Sequence, residues 1–368
     1  MKIKLHYFKE LDGIRAIAAL MIIFFHFFRS LHTNNTVILM VQKFATFGQT
    51  GVSLFFVLSG FLITRILLST KEGPGYFLNF YLRRTLRIFP LYYFFLALWY
   101  FAIPLLISTD TPPFSEQIYF WTYLQNFAYT FKWPAEGPTH FWSLAVEEHF
   151  YLFWPFLVYF LSKKALHNTI WFLVIVALLV RVLLVYNGYG TFYFTFARID
   201  ELTIGGLLAL WEVKGKLKTI KPGKFTIAIV ILLLPTLGLW FATGGSGLAW
   251  IQVVKFIPLS FIYFCVVGFV VTASANHWVN RFLKWKFFSF TGKISYGLYV
   301  YHPACFLITE HYLKNSSAAL IFLVGIVTSY TISFLSYHFF ESKFLIFKKY
   351  FEYKSNDTKA PEKNAALE

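Results

Sequence analysis

Long apolar segments recur along almost the whole chain, and they constrain its fold more than any other feature. Ten of them approach the ~20 residues that a helix needs to cross a bilayer, and they lie at 10–30, 48–68, 87–107, 141–161, 169–186, 198–212, 226–242, 251–272, 294–312 and 318–340. Hydrophobic residues make up 58% of the 368 residues and charged residues only 14%, which excludes an ordinary soluble domain. The sequence predicts an all-α, polytopic membrane protein with about ten transmembrane helices.

Basic residues in the loops predict the orientation of these helices. If the N-terminus is cytoplasmic, the inner loops and ends hold 22 Lys and Arg residues, whereas the outer loops hold Lys43, Lys132 and Lys314. Membrane proteins carry such an excess on the cytoplasmic side. The pattern predicts cytoplasmic N- and C-termini and explains most of the net charge of +16, so no nucleic-acid partner is predicted.

The chain is predicted to form one membrane domain, residues 1–347, with an uncleaved first helix. Residues 348–368 are polar and rich in lysine, which predicts a disordered cytoplasmic tail whose last residues, AALE, resemble an expression-vector scar. Cys265 and Cys305 lie in apolar segments, so no disulfide is predicted.

The aromatic segment IYFWTYLQNFAYTFKW, residues 118–133, is almost uncharged but does not fit as a further crossing. A crossing here would place the later lysine-rich loop outside, against the positive-inside rule. We expect an interfacial or re-entrant helix on the outer side, and either packing or a lid over an external substrate remains open as its role.

Two polar residues interrupt the first apolar segment, LDGIRAIAALMIIFFHFF. Arg15 and His26 are eleven residues apart, which on a helix returns to nearly the same face about 16 Å further along the axis. Ionisable groups inside membrane helices are costly and usually functional. The spacing therefore predicts one polar stripe, with Arg15 at its inner end and His26 in its outer half.

An arginine cluster, YLRRTLRIFPLYY, precedes the third segment. Arg83, Arg84 and Arg87 have i, i+3 and i, i+4 spacings and would project over a common arc of a helix. The cluster is typical of positive-inside charge, but guanidinium groups also match phosphate oxygens. A site for a phosphorylated ligand, joined by Arg15, is the functional interpretation.

Further polar residues start three of the later segments. Glu147 and Glu148 lie at the depth expected for His26, and a carboxylate there would orient an imidazole that acts as a general base. The other candidates, for acceptor binding or for structural hydrogen bonds between helices, are Arg198, Asp200, Glu201, Ser295, Tyr296 and His302. No zinc-type Cys/His spacing is present, and no metal is predicted.

Four of these stretches together resemble the acyltransferase-3 family of integral membrane O-acyltransferases. They are ELDGIRAIAALMIIFFHF with Arg15 and His26, LRRTLRIFPLY, FWSLAVEEHFYLFWP and ISYGLYVYHP. The third resembles the family pattern W-S-L-x-x-E-x-x-F-Y, which selects Glu147 over Glu148. The fourth matches Ser295, Tyr296, Tyr299 and His302.

The resemblance implies transfer of an acyl group, most often acetyl, from cytoplasmic acetyl-coenzyme A to a hydroxyl of a carbohydrate or glycolipid at the bacterial inner membrane. It implies that Arg15, Arg83, Arg84 and Arg87 hold the donor and that His26, oriented by Glu147, is the general base. Many members carry an additional hydrolase-like domain; this sequence leaves no room for one after the tenth segment, which predicts transfer inside the membrane domain or through a separate partner.

Two other functions stay open at this stage. Arginines and titratable residues on both sides would also suit a proton-coupled transporter or flippase of an anionic or glycan substrate. The chain shows no two-fold internal similarity, which such carriers often have. A membrane scaffold without catalytic activity would have no need of the buried His and Glu residues.

Overall fold

A computed structural model describes residues 7–31, 35–245 and 248–352. This part of the chain is helical and contains no strand. The α-helices are α1 Lys9–Ser30, α2 Thr36–Thr46, α3 Gly51–Thr70, α4 Tyr76–Ala97, α5 Ile103–Ile107, α6 Phe114–Trp121, α7 Gln125–Phe131, α8 Trp142–Phe160, α9 Lys163–Tyr186, α10 Ile199–Val213, α11 Pro222–Thr243, α12 Ala249–Val254, α13 Phe256–Thr272, α14 Trp278–Leu283, α15 Lys286–Lys293, α16 Ser295–Tyr312, α17 Ala318–Ser336 and α18 Ser342–Leu345.

Helices form at all ten predicted segments, and seven continuous helical stretches within the described residues are long and apolar enough to cross a membrane. They are Lys9–Ser30, Thr36–Thr70, Tyr76–Ile107, Lys163–Tyr186, Pro222–Thr243, Ala249–Thr272 and Ala318–Phe351. The all-α membrane fold is confirmed. The count of ten crossings and the cytoplasmic position of both ends remain predictions.

Helices α8, α10 and α16 are the three predicted crossings outside that set, and each is short or contains several polar residues. Helix α10 has only 15 residues, and Asp200 and Glu201 lie in its first turn. Helix α8 contains Glu147 and Glu148, and α16 contains His302 among several tyrosines. Much of each helix is buried within the bundle, so its polar residues find protein partners instead of lipid.

The long helices differ in how much of their surface other helices cover. In the stretch Thr36–Thr70, 78% of the most apolar window is buried, against 11% in Pro222–Thr243 and 17% in Ala318–Phe351. A helix that is apolar and yet uncovered by protein is suited to contact lipid. Helix α3 is therefore central, whereas α11 and α17 lie at the periphery.

Glycines allow the central helices to approach each other closely. A Cβ atom on Gly60 of α3 would overlap the carbonyl of Leu202 in α10, and one on Gly205 of α10 would overlap the carbonyl of Val57. Helix α1 is fixed similarly, because Gly292 at the end of α15 packs against the backbone of Asp12. Small residues at such crossings permit the backbone contact that holds membrane helices together.

The aromatic segment 118–133 forms the short helices α6 and α7 with a turn between them, and neither is long enough to cross a membrane. Tyr92 of α4 donates to the carbonyl of Phe120 at 2.7 Å. Gln125 donates to the carbonyl of Phe141, just before α8, at 2.8 Å. The segment is thus tied to two long helices.

The helical structure continues past the predicted domain end, because a 3₁₀ segment covers Ile346–Phe351. The predicted disordered tail otherwise lies in residues 353–368, outside the described residues. Arg83, near the start of α4, donates to the carbonyl of Lys348 at 3.1 Å. This contact holds the 3₁₀ segment against α4.

Candidate active site

A basic cavity of about 180 Å³, here called the arginine cavity, lies between α1, α3, α4, α8, α15 and α16. Its cationic lining residues are Arg15, Arg84, Arg87 and Lys293, and its acidic ones are Asp12 and Glu147. Four positive charges against two negative ones make the cavity suitable for an anionic ligand. The structure therefore brings together three of the four arginines predicted to bind the donor.

Arg83 does not line this cavity. Adjacent residues on a helix project about 100° apart, so Arg83 and Arg84 face different neighbours. Arg84 faces the cavity, with its guanidinium 6.0 Å from the ring centre of Tyr151. Arg83 turns instead toward the carbonyl of Lys348. In this geometry Arg83 fixes the C-terminal segment.

Arg15 is held in place by its own helix. Its Nη1 atom lies 2.7 Å from Oδ1 of Asp12, which is three residues earlier, and the side chain of Asp12 is only 6% exposed. The hydroxyl of Tyr7 donates to the other carboxylate oxygen. The arginine side chain keeps 29% of its surface exposed, so its remaining N–H groups are available on the cavity side.

A second and smaller cavity, about 70 Å³ and here called the histidine cavity, contains His26. Its polar lining residues include Arg29, Gln49, Thr139 and His140, and its aromatic ones include Phe25, Trp142, Phe192, Tyr193 and Tyr299. None of the described residues that line it is acidic. Arg15 and His26 of α1 thus line different cavities, and Arg29, in the last turn of the same helix, lines the same cavity as His26.

His26 is paired with His302, not with Glu147. Nδ1 of His26 lies 2.7 Å from Nε2 of His302, and the two rings are stacked with centroids 5.0 Å apart. Nδ1 of His302 lies 2.8 Å from the carbonyl oxygen of Leu298 in the same helix. The second histidine is completely buried.

These distances define where the ring protons are, because a carbonyl oxygen can only accept a hydrogen bond. Nδ1 of His302 must therefore carry a proton. With His302 neutral in its buried position, its Nε2 accepts from Nδ1–H of His26. His26 then has a lone pair on Nε2, which has no hydrogen-bond partner among the described residues. A lone pair that lines a cavity is what a general base requires.

Glu147 lines the arginine cavity, whereas His26 lines the histidine cavity. Ser59 of α3 donates to its Oε1 at 2.7 Å. Within the described part of the chain, its neighbour Glu148 has one buried carboxylate oxygen without a hydrogen-bond partner, and Glu148 lines neither cavity. Among the same residues no hydrogen bond joins Glu147 to His26, and His302 is the residue that is hydrogen-bonded to Nδ1 of His26.

The two cavities adjoin at Val52 and Tyr299, which line both. The hydroxyl of Tyr299 donates to the carbonyl of His140 at 2.6 Å and is also hydrogen-bonded to Ser143. His140 in turn contacts the carbonyl of Val300 at 3.1 Å. These bonds join α8 and α16 at the boundary between the cavities.

Ser295 and Tyr296 line the arginine cavity, each with a hydrogen bond to the backbone. Ser295 donates to the carbonyl of Gly292 at 2.8 Å. Tyr296 donates to the carbonyl of Ile88 at 2.8 Å, which links α16 to α4. Both therefore shape the wall of the cavity while they face it.

Arg198, Asp200 and Glu201 belong to a buried set of ion pairs and line neither cavity. Arg198 lies 2.9 Å from Glu201, and Asp200 lies 2.8 Å from Arg181 of α9. The guanidinium of Arg198 is 5.1 Å from the ring centre of Trp142, which lines the histidine cavity. These ion pairs thus pack behind Trp142, which forms part of the wall of the histidine cavity.

Four residues of the two cavities and the buried ion pairs are not among the candidates predicted from sequence: Lys293, Arg29, His140 and Arg181. Arg181 could have been found, since it interrupts the apolar run of α9 and intramembrane arginines need partners. Lys293 was counted only as loop charge. Arg29 lies at the end of the first predicted helix and His140 just before the fourth, and nothing in their spacing indicates that they share a cavity with His26.

Comparison with known proteins identifies the family of this chain. The family model described as an acyltransferase domain matches residues 8–338. The chain therefore belongs to this family of integral membrane acyltransferases.

Curated proteins from Staphylococcus aureus are among the relatives of this chain. The protein named O-acetyltransferase OatA of strain NCTC 8325 is 28% identical over 91% of this chain and 57% of its own length. A second protein, from strain COL, whose name also contains the word O-acetyltransferase, is 28% identical over 93% of this chain and 58% of its own length. The chain thus spans little more than half the length of these relatives. No solved structure matches the chain.

Proposed function

We propose that this chain is a membrane O-acetyltransferase that moves an acetyl group from cytoplasmic acetyl-coenzyme A to a hydroxyl of a carbohydrate or glycolipid on the other side of the bacterial cytoplasmic membrane. One observation carries the proposal. A basic cavity adjoins, at Val52 and Tyr299, a cavity that contains His26, whose Nε2 has no hydrogen-bond partner among the described residues. Membership of an acyltransferase family supports the reaction class.

The donor substrate is assigned to the arginine cavity by its charge. Arg15, Arg84, Arg87 and Lys293 would bind the phosphates of coenzyme A through charge-assisted hydrogen bonds. Along α1, Arg15 and His26 are separated by about 16 Å, a distance that the extended pantetheine arm can cover. The thioester would then lie at the boundary between the cavities.

The acceptor is assigned to the histidine cavity by its aromatic lining. Trp142, Phe192 and Tyr193 offer ring faces on which a sugar can stack, while Gln49 and Thr139 offer hydrogen-bond partners. The name O-acetyltransferase carried by the S. aureus relatives supports a hydroxyl acceptor and an acetyl group.

The reaction follows from the histidine pair. Nε2 of His26 removes the proton from the acceptor hydroxyl, and the oxygen attacks the thioester carbonyl carbon. The C–S bond then breaks, the acetyl ester forms, and the coenzyme A thiolate takes the proton from His26. His302 accepts the hydrogen bond from Nδ1–H of His26 throughout the reaction. This bond keeps His26 in the tautomer with a free lone pair on Nε2 and stabilises the imidazolium that forms. This assigns to His302 the role that the sequence predicted for Glu147.

The full chain in lipid nanodiscs, supplied with [¹⁴C]acetyl-coenzyme A and a bacterial envelope glycan fraction, tests the proposal. We expect alkali-labile label in the glycan fraction and one free thiol released for each ester formed. Replacement of His26 by alanine should remove both signals while coenzyme A still binds. Undiminished transfer by the His26→Ala variant would exclude this mechanism.

The transporter hypothesis predicts a different result with the same protein. In sealed proteoliposomes a carrier would accumulate labelled substrate without release of thiol and without ester formation. Stoichiometric thiol release coupled to ester formation therefore separates the two functions.

A further inference from the structure

We propose that the acceptor carries a negative charge close to the hydroxyl that is acylated, and that Arg29 recognises this charge. The inference rests on the proposed function and specifies its substrate class as an anionic glycan, with a carboxylate or a phosphate beside the reactive hydroxyl. It is carried by the histidine cavity and the last turn of α1.

Arg29 lies three residues after His26, which places both side chains on the same face of α1, about one helical turn apart. Both line the histidine cavity. An anion bound by Arg29 would therefore lie near the hydroxyl that is deprotonated by His26.

The positive charge of Arg29 has no carboxylate partner among the described residues. Its guanidinium is 5.6 Å from the ring centre of Phe25, a contact that leaves the N–H groups at the edge of its plane available. Glu310 accepts a hydrogen bond from Ser30, the next residue, at 3.0 Å, but adjacent helical positions point about 100° apart. No ion pair joins Glu310 to Arg29 within the described residues.

The rest of the cavity adds no negative charge. Among the described residues, its lining contains Arg29, His26 and His140 but no aspartate or glutamate. The arginine cavity, in contrast, contains Asp12 and Glu147 beside its cations. A lining with a cation and no acid favours an anionic ligand over a neutral one.

The position of Arg29 along the chain points the same way. It lies at the end of α1 where the predicted outer loops hold only three lysines. Membrane proteins concentrate arginine and lysine on the opposite side. Positive-inside charge therefore gives no reason for an arginine here, whereas recognition of an anion does.

Kinetics of transfer to the envelope glycan fraction test the role of Arg29. We expect Arg29→Gln to raise the KM for acceptor about 10-fold, because a charge-assisted bond is lost. Arg29→Lys should restore part of the affinity. Lys43→Gln is the matched control, since this exposed lysine lies in the last turn of α2, outside the cavity, and the variant should keep the wild-type KM for acceptor.

The chemistry of the acceptor is tested on the glycan itself. We expect the labelled product of the wild-type protein to bind an anion exchanger. Conversion of glycan carboxylates to neutral amides before the reaction should abolish transfer if the charge is a carboxylate, and phosphatase or mild acid should do so if it is a phosphate.

Three outcomes would overturn the inference while the proposed function stands. Transfer could survive both treatments of the glycan, the labelled product could be neutral, or Arg29→Gln could lower kcat alone with an unchanged KM for acceptor. Absence of any transfer by the wild-type chain would instead reject the proposed function, and with it this inference.

Discussion

The arginine cavity and the histidine cavity adjoin, yet their side chains are held in different ways. In the arginine cavity, several cations surround the space, and of these only Arg15 forms a close ion pair with another described residue, Asp12 at 2.7 Å. In the histidine cavity, His26 is fixed by a hydrogen bond to a buried histidine, which is itself fixed by a helix carbonyl. The first arrangement suits binding of a charged substrate, and the second suits a defined proton transfer.

The difference teaches how one helix can serve both substrates. Arg15 and His26 lie on the same stripe of α1, but each completes its site with a different neighbour: α4 beside Arg15, and α16 beside His26. In the proposed reaction, the transferred group passes only the boundary at Val52 and Tyr299. Four predictions can break or sharpen this comparison.

The largest effect is expected from His26→Ala. Loss of the general base should lower kcat about 100- to 10,000-fold, with acetyl-coenzyme A binding retained because His26 does not line the arginine cavity. Steady-state transfer kinetics and calorimetric binding of coenzyme A check this. A variant that loses donor binding as well would contradict the separation of the two cavities.

His302→Leu should have the next largest effect. Without Nε2 of His302 as a hydrogen-bond acceptor, neither the orientation nor the tautomer of His26 is fixed. We expect kcat to fall about 10- to 100-fold, the range seen when the partner of a metal-binding histidine is removed. His302→Gln is the control, because its amide oxygen can accept from Nδ1–H of His26. Equal losses in the leucine and glutamine variants would argue against the orienting role.

Arg84→Gln and Arg87→Gln should affect the donor. Each removes a charged hydrogen-bond donor worth about 1.5 kcal/mol, which corresponds to about a 10-fold higher KM for acetyl-coenzyme A. Arg83→Gln is the matched control, since Arg83 bonds to the Lys348 carbonyl outside the cavity. A similar KM increase in all three variants would show that Arg83 reaches the donor after all.

The smallest effect is expected from Glu147→Gln. The amide keeps an oxygen that can accept from Ser59, so we expect a change of about 2- to 3-fold, equivalent to about 0.5 kcal/mol, in the KM for donor. A loss of kcat as large as that of His302→Leu would restore the sequence-based assignment, in which Glu147 acts together with His26. Transfer rates at saturating donor and acceptor distinguish the two.

Much of the architecture could be read from sequence, because the bilayer imposes a strong constraint. An apolar run of membrane length must satisfy its backbone hydrogen bonds internally, and a helix does this. Helices therefore form at every predicted segment. The number of crossings is harder to predict. Helices α8, α10 and α16 are largely buried among other helices, and they also contain polar residues such as Glu147, Asp200 and His302.

The site was predicted only in part, for a geometric reason. Helical periodicity relates residues of one helix, and it gave the stripe that joins Arg15 and His26. It carries no information about which helices are neighbours. The contact of Glu147 with Ser59 depends on how two helices pack. The contact of Arg198 with Glu201 depends on the rotamers that the two side chains adopt.

The sequence by itself determined the helical membrane fold, the stripe on α1 and the arginine group before the third crossing, because each depends on composition or on spacing within one segment. Only the tertiary structure decided that His302, 276 positions away, is the partner of His26, that Arg83 turns away from the arginine cavity, and that Arg29 shares a cavity with His26. Those relations arise where separate helices pack together. Their close approach depends on backbone contacts such as the one between Gly60 and Leu202, which no spacing along the chain encodes.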